Sequence, residues 1–331
     1  MTCLGPLMDS HGRQVSYLRL SVTDRCNLRC VYCRVDSTFI PHARVLRYEE
    51  MERIVAAAVT AGVRKVRLTG GEPFVRKDFP AFLGRLRAAH PDVDLRLTSN
   101  GILLAPYAGL LRDLGVRVNL SLDTLRPHRF ERITGRDLLP RVLAAMDALL
   151  KADVSLKLNA VALRGINDDE LPDFLALARN QALDVRFIEF MPMGDSTVWS
   201  TRYYWPATDI LRAAGELHEL TPLPPNAETD GPARMYSLKE GMGRFGLITP
   251  LTQHFCASCN RLRVTSDGRL RTCLFDDHEY RLAQILRAPR LSDESLLRVL
   301  RRATQRKPIG AHVLEKRRGA VTHKAMSAIG G

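Results

Sequence analysis

Residues 17 to 33 read "YLRLSVTDRCNLRCVYC" and combine an apolar run with three closely spaced cysteines. The run "YLRLSVT" is rich in Leu and Val, which predicts a buried β-strand. Cys26, Cys30 and Cys33 follow this strand in a CxxxCxxC pattern. Spacing this tight predicts a metal site directly after the strand.

Three thiolates are compatible with two kinds of metal site. A closed zinc site is tetrahedral and needs four ligands, so the triplet falls one short. A four-iron cluster can be held by the same triplet and then keeps one iron without a protein ligand, where chemistry can take place. A zinc site completed by a remote residue such as His42 stays open on the spacing alone.

Composition indicates a soluble cytoplasmic protein. The chain has 331 residues, of which 45% are apolar and 26% are charged, as in ordinary globular proteins. It has no apolar run of ~18 residues that could span a membrane, and its N-terminus lacks the pattern of a secretion signal. In a reducing compartment, we expect the seven cysteines to serve mainly as metal ligands and not as disulfides.

The formal net charge of +13 requires an anionic partner. Nucleic acid and a polyphosphate ligand both satisfy this electrostatic requirement. The one dense basic run, "EKRRGAVTHK", lies near the C-terminus, and such runs are more typical of a solvated surface. Where the charges sit is therefore more informative than their sum.

The first 195 residues alternate between apolar strands and amphipathic helices. This order predicts an α/β fold, an incomplete (βα) barrel of the TIM type, with ligands at the C-terminal ends of the strands. The helices include "YEEMERIVAAAVTAG" and "NDDELPDFLALARNQA". The six predicted parallel strands begin at Tyr17, Lys65, Asp94, Val116, Val154 and Asp184.

Residues 196–331 follow a different pattern and predict a smaller, irregular α+β region. The run "TPLPPNAETDGP" is rich in proline, and Asp267-Gly268 predicts a hairpin turn. This region carries the second triplet, Cys256, Cys259 and Cys273. Its spacing fits either a zinc site or a second cluster with an open iron. The candidate fourth zinc ligands are His254 and His278.

Four cations interrupt the predicted strands. A buried Lys or Arg is costly unless it is paired or faces a ligand. Each one alone could lie at a solvated strand end or pair with a neighbour such as Glu189. Four on one sheet favour an anionic pocket, to which Arg261 and Arg263 would add. The four are Arg19, Arg67, Lys157 and Arg186.

The strand, the CxxxCxxC pattern and Tyr32 before its last cysteine resemble the signature of the radical S-adenosylmethionine superfamily. The turn "GGEP", Gly70 to Pro73, is a second matching element. The resemblance implies a 4Fe-4S cluster on the first triplet, whose open iron chelates the amino and carboxylate groups of S-adenosylmethionine. One electron from the cluster then releases a 5′-deoxyadenosyl radical.

The second triplet and the "NRLR" that follows its second cysteine resemble the GTP 3′,8-cyclases of the molybdenum cofactor biosynthesis protein A family. "SNG", "SLD", "RFIEFMPMG" and the terminal Gly330-Gly331 also match, whereas residues 195–245 match nothing. The resemblance implies two 4Fe-4S clusters and a lyase that makes 3′,8-cyclo-7,8-dihydro-GTP, the first step of molybdenum cofactor biosynthesis. The radical would take hydrogen from C3′, C3′ would attack C8, and one electron and one proton would complete the product.

Residue roles follow from the same resemblance. The second cluster would hold the guanine base, and the Gly-Gly tail would reach the active site. The first triplet, Arg261 and Arg263 are the implied catalytic residues. The implied contacts to S-adenosylmethionine are Tyr32, Gly71, Ser121 and Met191. The implied contacts to GTP are Arg19, Arg67, Thr98, Lys157, Arg261 and Arg263.

The implied partners are GTP, a low-potential electron donor of the flavodoxin or ferredoxin type, and cyclic pyranopterin monophosphate synthase as the next enzyme, by product transfer. No nucleic acid or membrane is expected, and a homodimer is left open. One alternative is another radical S-adenosylmethionine enzyme with an auxiliary cluster that acts on a peptide or a nucleotide. A second is a basic zinc protein that binds nucleic acid, with salt-dependent affinity.

Overall fold

The computed structural model describes residues 5–33, 39–193, 200–224, 231–290, 292–315 and 329. The strands of these residues are β1 (Leu7–Met8), β2 (Gln14–Val15), β3 (Tyr17–Ser21), β4 (Lys65–Thr69), β5 (Asp94–Ser99), β6 (Arg117–Ser121), β7 (Leu156–Ala162), β8 (Asp184–Glu189), β9 (Leu220–Pro222), β10 (Ala233–Leu238), β11 (Arg244–Ile248), β12 (Arg261–Val264), β13 (Arg269–Arg271) and β14 (Tyr280–Arg281). The helices are α1 (Tyr48–Thr60), α2 (Phe79–Ala89), α3 (Ala108–Asp113), α4 (Pro127–Thr134), α5 (Leu139–Lys151), α6 (Leu171–Asn180), α7 (Ala207–Leu217), α8 (Leu282–Arg287), α9 (Asp293–Gln305) and α10 (Gly310–Glu315).

The six strands expected from the sequence, β3 to β8, form a parallel sheet in chain order. A helix follows most of these strands, so the predicted α/β fold is confirmed. Predicted helices are also confirmed at α1 and α6.

Two strands of the C-terminal region extend this sheet, one at each side. β11 pairs in parallel with β8, and β12 pairs in parallel with β3. Antiparallel strands complete the sheet, whose outermost strands are β14 and β9, so it is open and not a closed barrel. The sheet pairs strands from before residue 195 with strands from after it. The predicted boundary between 1–195 and 196–331 is therefore a change of sequence pattern within one sheet. As a division into domains it stays a prediction.

The two faces of the sheet differ sharply in polarity. Successive residues of a strand point to opposite faces, and Leu18 and Leu20 are fully buried on one face while Arg19 lies on the other. Arg19 lies beside Arg67 of β4, which in turn lies beside Arg96 of β5. The helices cover the apolar face, and a row of guanidinium groups lines the opposite one.

Two local predictions rest on backbone geometry. The α1 helix begins where the Arg47 N–H donates to the Glu50 carboxylate at 2.7 Å, and it ends before Gly62, whose φ is +93°. The predicted hairpin at Asp267-Gly268 is confirmed, because β12 and β13 pair as antiparallel strands and Gly268 has a φ of +76°. Positive φ is the conformation that glycine adopts without strain.

A buried carboxylate joins the end of β8 to the C-terminal region. Glu189 is 1% exposed. It accepts hydrogen bonds from the N–H groups of Leu251 at 3.0 Å and Thr252 at 3.1 Å, and from the N–H of Ala207 at 3.2 Å. In the described residues its partners are these backbone donors and the hydroxyls of Tyr204 and Thr252, and not a strand cation. None of the helices in the described part of the chain is both long and apolar enough to cross a membrane.

We expect Glu189→Ala to lower the free energy of unfolding by about 3 kcal/mol or more, because each buried donor left without an acceptor costs about 1–3 kcal/mol. Chemical denaturation measures the change. The control is Glu216→Ala, an exposed residue paired with Arg212 at 3.4 Å, for which we expect less than about 0.5 kcal/mol. A similar small loss for Glu189→Ala would contradict the structural role of this carboxylate.

Candidate active site

The first cysteine triplet lies in the loop after β3, and the GGEP turn after β4 holds this loop in place. The N–H of Val22 donates to the carbonyl of Thr69 at 2.8 Å, continuing the β3–β4 pairing beyond the strands. The N–H of Gly71 then donates to Thr23 and the N–H of Glu72 to Arg25, both at 2.7 Å. The loop that leads into Cys26 is therefore fixed by backbone hydrogen bonds.

The two glycines of this turn are required by close packing. Gly70 has a φ of +157°, and a Cβ there would overlap the carbonyl oxygen of Thr23. A Cβ on Gly71 would overlap the carbonyl oxygen of Arg25. The turn therefore packs directly against the backbone of the cysteine loop, which side chains at these two positions would prevent.

The sulfur of Cys26 has hydrogen-bond donors that suit a thiolate, whereas the surroundings of Cys30 favour the neutral thiol in the absence of a metal. Leu28 N–H lies 3.4 Å and Asn100 Nδ2 3.6 Å from Sγ of Cys26. Burial, together with the charges of Cys33 and Asp123, raises the pKa of Cys30 well above its ordinary value. In the described part of the chain, no three His, Cys, Asp or Glu side chains lie close enough for a single metal ion. A cubane differs in that it places each ligand on a separate iron.

The residues expected at S-adenosylmethionine lie around this loop. The Tyr32 hydroxyl donates to the carboxylate of Asp123, in the predicted "SLD" stretch. Burial raises the pKa of Tyr32 well above its ordinary value, and the Asp123 charge adds to the effect. Ser121 is the last residue of β6, and Met191 follows β8, so both are at C-terminal strand ends. Their contacts to a cofactor stay predictions.

Tyr17, which the sequence did not single out, lies among the predicted GTP contacts. Its hydroxyl accepts a hydrogen bond from Arg67 Nε at 2.5 Å, and Arg67 Nη1 donates to Thr98 Oγ1 at 3.2 Å. Burial opposes ionisation of Tyr17, but the positive charges of Arg67 and Arg19 prevail and lower its pKa to about 7. The available signal was its place two residues before Arg19, on the same strand face.

Among the strand cations, Arg186 has the surroundings that most clearly fit an anion-binding position. It is 5% exposed, and its Nε and Nη2 atoms are buried without a hydrogen-bond partner in the described residues. Burial, with the nearby charge of Arg67, lowers its pKa to about 9. The side-chain oxygen of its cross-strand neighbour Asn159 is likewise buried without a partner in the described residues. Polar atoms in this state are expected where a ligand completes their hydrogen bonds.

Lys157 differs from the other predicted GTP contacts. Its Nζ is paired with Asp184 at 2.9 Å, and Asp184 also pairs with Arg244 at 2.7 Å. Asp94 forms the corresponding pair with Arg96, at 2.6 Å. These carboxylates are the first residues of β8 and β5, so protein charge neutralises the cations at the N-terminal edge of the sheet. The GTP contact of Lys157 stays a prediction.

The second triplet lies at the opposite end of the strands from the first. Arg261, two residues after Cys259, is in register with Tyr17 at the start of β3, whereas Cys26 follows the end of β3. β13 runs back toward the same edge and delivers Cys273 there. All three cysteines line one cavity, together with Arg261 and Arg263.

Arg261, beside the second triplet, contacts one of its cysteines and an aromatic ring. Arg261 Nη2 lies 3.7 Å from Sγ of Cys259, and its guanidinium carbon is 4.6 Å from the centre of the Phe255 ring. Burial alone would raise the pKa of Cys259, but Arg261 and Lys307 lower it to about 6. Arg263 is 7% exposed, and burial, with the charge of Arg19, lowers its pKa well below the ordinary value. This donor set fits a thiolate-bound cluster.

The histidines proposed as alternative zinc ligands have other neighbours. Nδ1 of His254 is 2.7 Å from the carbonyl oxygen of Pro250, and the ring of His278 packs edge-on against Tyr280 at 4.7 Å. His42 begins a short 3-10 helix over His42–Arg44. The predicted Gly330-Gly331 tail lies outside the described residues. Ile329 just before it is buried with Met193 and Phe275 beside Cys273.

Comparison with known families agrees with this arrangement. Residues 20–178 match the Radical SAM superfamily, and residues 183–313 match Molybdenum Cofactor Synthesis C. A GTP 3′,8-cyclase of Syntrophomonas wolfei is 42% identical over 329 residues, covering 98% of this chain and 100% of the relative. The chain belongs to the GTP 3′,8-cyclase family. The GTP 3′,8-cyclase of Brucella ovis is 43% identical over 311 residues, covering 92% of this chain and 89% of the relative.

Solved structures share the fold of this family member. Streptococcus suis SuiB bound to S-adenosylmethionine superposes with a TM-score of 0.60 at 16% identity, over 84% of this chain and 68% of SuiB. SuiB bound to the precursor peptide SuiA gives a TM-score of 0.62 at 14% identity, over 97% of this chain and 76% of SuiB. At these identities the likeness concerns the fold alone, so it gives no support to a peptide substrate here.

We expect Gly71→Ala to lower the free energy of unfolding by about 1–3 kcal/mol, as overpacking does, and to reduce the iron bound per chain. The reason is the overlap of the new Cβ with Arg25. Iron analysis and chemical denaturation measure the two effects. Gly109→Ala is the control, since its Cβ would meet nothing within 4 Å. Iron content equal to that of the wild type would show that the turn does not shape the first site.

Proposed function

We propose that this chain is a radical S-adenosylmethionine GTP 3′,8-cyclase that catalyses the first step of molybdenum cofactor biosynthesis. The choice of substrate rests mainly on Arg186, whose Nε and Nη2 are buried and have no hydrogen-bond partner among the described residues, within a row of strand arginines. This face requires an anion, and it lies between two cysteine triplets. A nucleoside triphosphate supplies negative charge in the amount that several guanidinium groups can bind.

The first site binds S-adenosylmethionine and an iron-sulfur cluster on Cys26, Cys30 and Cys33. When bound, these groups supply one-electron chemistry that yields a 5′-deoxyadenosyl radical. The protein's own contribution is orientation. The GGEP turn offers backbone groups to the methionine moiety, and Asp123 holds Tyr32 through its hydroxyl. The contacts of Tyr32, Gly71, Ser121 and Met191 to the cofactor are part of this proposal.

The polar face of the sheet would position GTP. Arg19, Arg67, Arg186 and Arg263 would bind the triphosphate, with Thr98 and Tyr17 holding the Arg67 side chain. Lys157 would contact the triphosphate only if its ammonium group bound Asp184 and a phosphate together or broke its ion pair with Asp184. Removal of the C3′ hydrogen needs the ribose near the first site, and formation of the C3′–C8 bond needs the guanine held within reach of that ribose. Charges fixed on rigid strands provide that orientation without rearrangement.

The second triplet would hold a second 4Fe-4S cluster through Cys256, Cys259 and Cys273. The cluster's open iron would take the guanine base. Arg261 beside Cys259 would contact both the thiolate and the substrate, since it lines the same cavity. The support is that all three cysteines line one cavity, and that Arg261 and Lys307 lower the pKa of Cys259 while burial raises the pKa values of Cys256 and Cys273.

We propose that a low-potential flavodoxin or ferredoxin delivers electrons at the first triplet. Val31 and Phe39 are each 43% exposed next to this loop, and the Arg25 guanidinium lies 5.5 Å from the Phe39 ring centre. Arg29 is exposed beside them and Val75 is 37% exposed after the GGEP turn. Exposed apolar side chains with basic neighbours suit an acidic partner. Transfer of the product to cyclic pyranopterin monophosphate synthase, and a homodimer, are further parts of the proposal.

The function is tested by iron analysis and a cyclisation assay. Anaerobically reconstituted protein should hold about eight irons per chain, and the triple variant Cys256→Ala, Cys259→Ala, Cys273→Ala about four. With S-adenosylmethionine and dithionite, only the parent should convert GTP to the 3′,8-cyclic product. Cleavage of S-adenosylmethionine with no cyclic product from GTP would contradict the assignment of GTP as the substrate. Four irons and one zinc in the parent would contradict the second cluster alone.

The proposed surface for the electron donor, formed by Val31, Phe39, Arg25, Arg29 and Val75, is tested with Phe39→Ser and Arg29→Glu. We expect flavodoxin-driven turnover to fall by about tenfold through slower association, while dithionite-driven turnover stays at the parent level. Met242→Ser is the control, because Met242 is 69% exposed in the turn between β10 and β11, at the N-terminal edge of the sheet. Equal losses with both reductants would show that the variants damage the first site and not docking.

A further inference from the structure

The segment Lys307–Ala311 crosses the open side of the second cysteine triplet. Lys307 is 1% exposed although it carries an ammonium group. Its Nζ donates to the carbonyl of Arg261 at 2.9 Å and also to the carbonyl of Thr272. Arg261 lies two residues after Cys259, and Thr272 directly precedes Cys273. One cation therefore joins the backbone at two of the three cysteines.

Arg13 makes the matching connection to the third cysteine. It is 8% exposed and paired with Asp9 at 2.5 Å. Its guanidinium donates to the carbonyl of Cys256 at 2.7 Å, to Lys307 at 3.1 Å and to Pro308 at 3.0 Å. Residues from the two ends of the chain thus meet on the cysteine backbone.

Gly310 completes the enclosure by its lack of a side chain. A Cβ there would lie 3.0 Å from Sγ of Cys273 and 3.2 Å from Sγ of Cys256. It would also lie 3.0 Å from the Phe275 ring. Next along the chain, the Ala311 N–H donates to the Cys256 sulfur. The α10 helix therefore begins against two of the three thiolate ligands.

We propose that Lys307–Ala311, anchored by Arg13, is the outer wall of the second cluster: Gly310 leaves room for its sulfur ligands and Lys307 balances their negative charge. This inference rests on the proposed second cluster. Groups that surround metal ligands orient them and tune the metal, and their loss typically costs about 10–100-fold in metal affinity. A fixed positive charge favours the reduced, more negative cluster, so it raises the reduction potential.

The space requirement is tested with Gly310→Ala and Gly310→Val. We expect the second-site iron to be lost to a chelator about 10–100-fold faster than in the parent, and the Val variant to hold about four irons instead of about eight. S-adenosylmethionine cleavage without GTP should continue, which shows that the first site and the fold are intact. Gly84→Ala is the control, since its Cβ would meet nothing within 4 Å.

The charge requirement is tested with Lys307→Met and Lys307→Arg. We expect the midpoint potential of the second cluster to become more negative in the Met variant and to be restored in the Arg variant. Lys239→Met, an exposed lysine paired with Glu219 at 2.8 Å, is the control. An unchanged potential in Lys307→Met would overturn the role of the charge.

Two results separate this inference from the proposed function. A parent with eight irons and a Gly310→Val variant with the same eight irons and the same rate of loss would overturn the wall alone. A parent with only four irons would overturn the second cluster, and the wall inference would be wrong with it.

Discussion

Burial of arginine side chains on one face of a parallel sheet is the constraint on which the rest of the structure depends. A guanidinium group removed from water is stable only beside negative charge or good acceptors. At the N-terminal edge, Asp94 and Asp184 meet this need within the protein. Farther along the strands, the described residues give Arg67 the Tyr17 and Thr98 hydroxyls and the Leu97 carbonyl as acceptors, and they leave two nitrogens of Arg186 with none. An anion that bound at this face would supply the acceptors that these nitrogens need.

The same sheet sets where chemistry can occur. β3 has five residues and is about 16 Å long at ~3.3 Å per residue, with the first triplet after its end and the second triplet beside its start. Arg19 is the middle residue of that strand and lies beside Arg263. Any anion bound there lies between the two cysteine sites. The register of β12 against β3 therefore places Arg19 and Arg263 side by side, and it places them between the two cysteine triplets.

Much of this arrangement could be predicted from the sequence, because its signals are local. Strand composition, the CxxxCxxC spacing and the Asp267-Gly268 turn each depend on a few adjacent residues. The pairing of Lys157 with Asp184 depends on the register between β7 and β8, which no local pattern determines. The same holds for β11 and β12, which looked like short irregular strands and instead border β8 and β3. Long-range pairing was the missing information.

The C-terminal region is for this reason part of the same sheet as the strand that precedes the first cysteine triplet. β12 completes the polar face beside β3 and brings Arg261 and Arg263 to it. The chain then returns through α9 and delivers Lys307 and Gly310 to the cysteines that flank β12. Arg13, from the start of the chain, is buried against the same segment. Because Arg13 and Lys307, far apart in the sequence, meet at the cysteine that precedes β12, the geometry of this site depends on long-range packing that no local sequence pattern predicts.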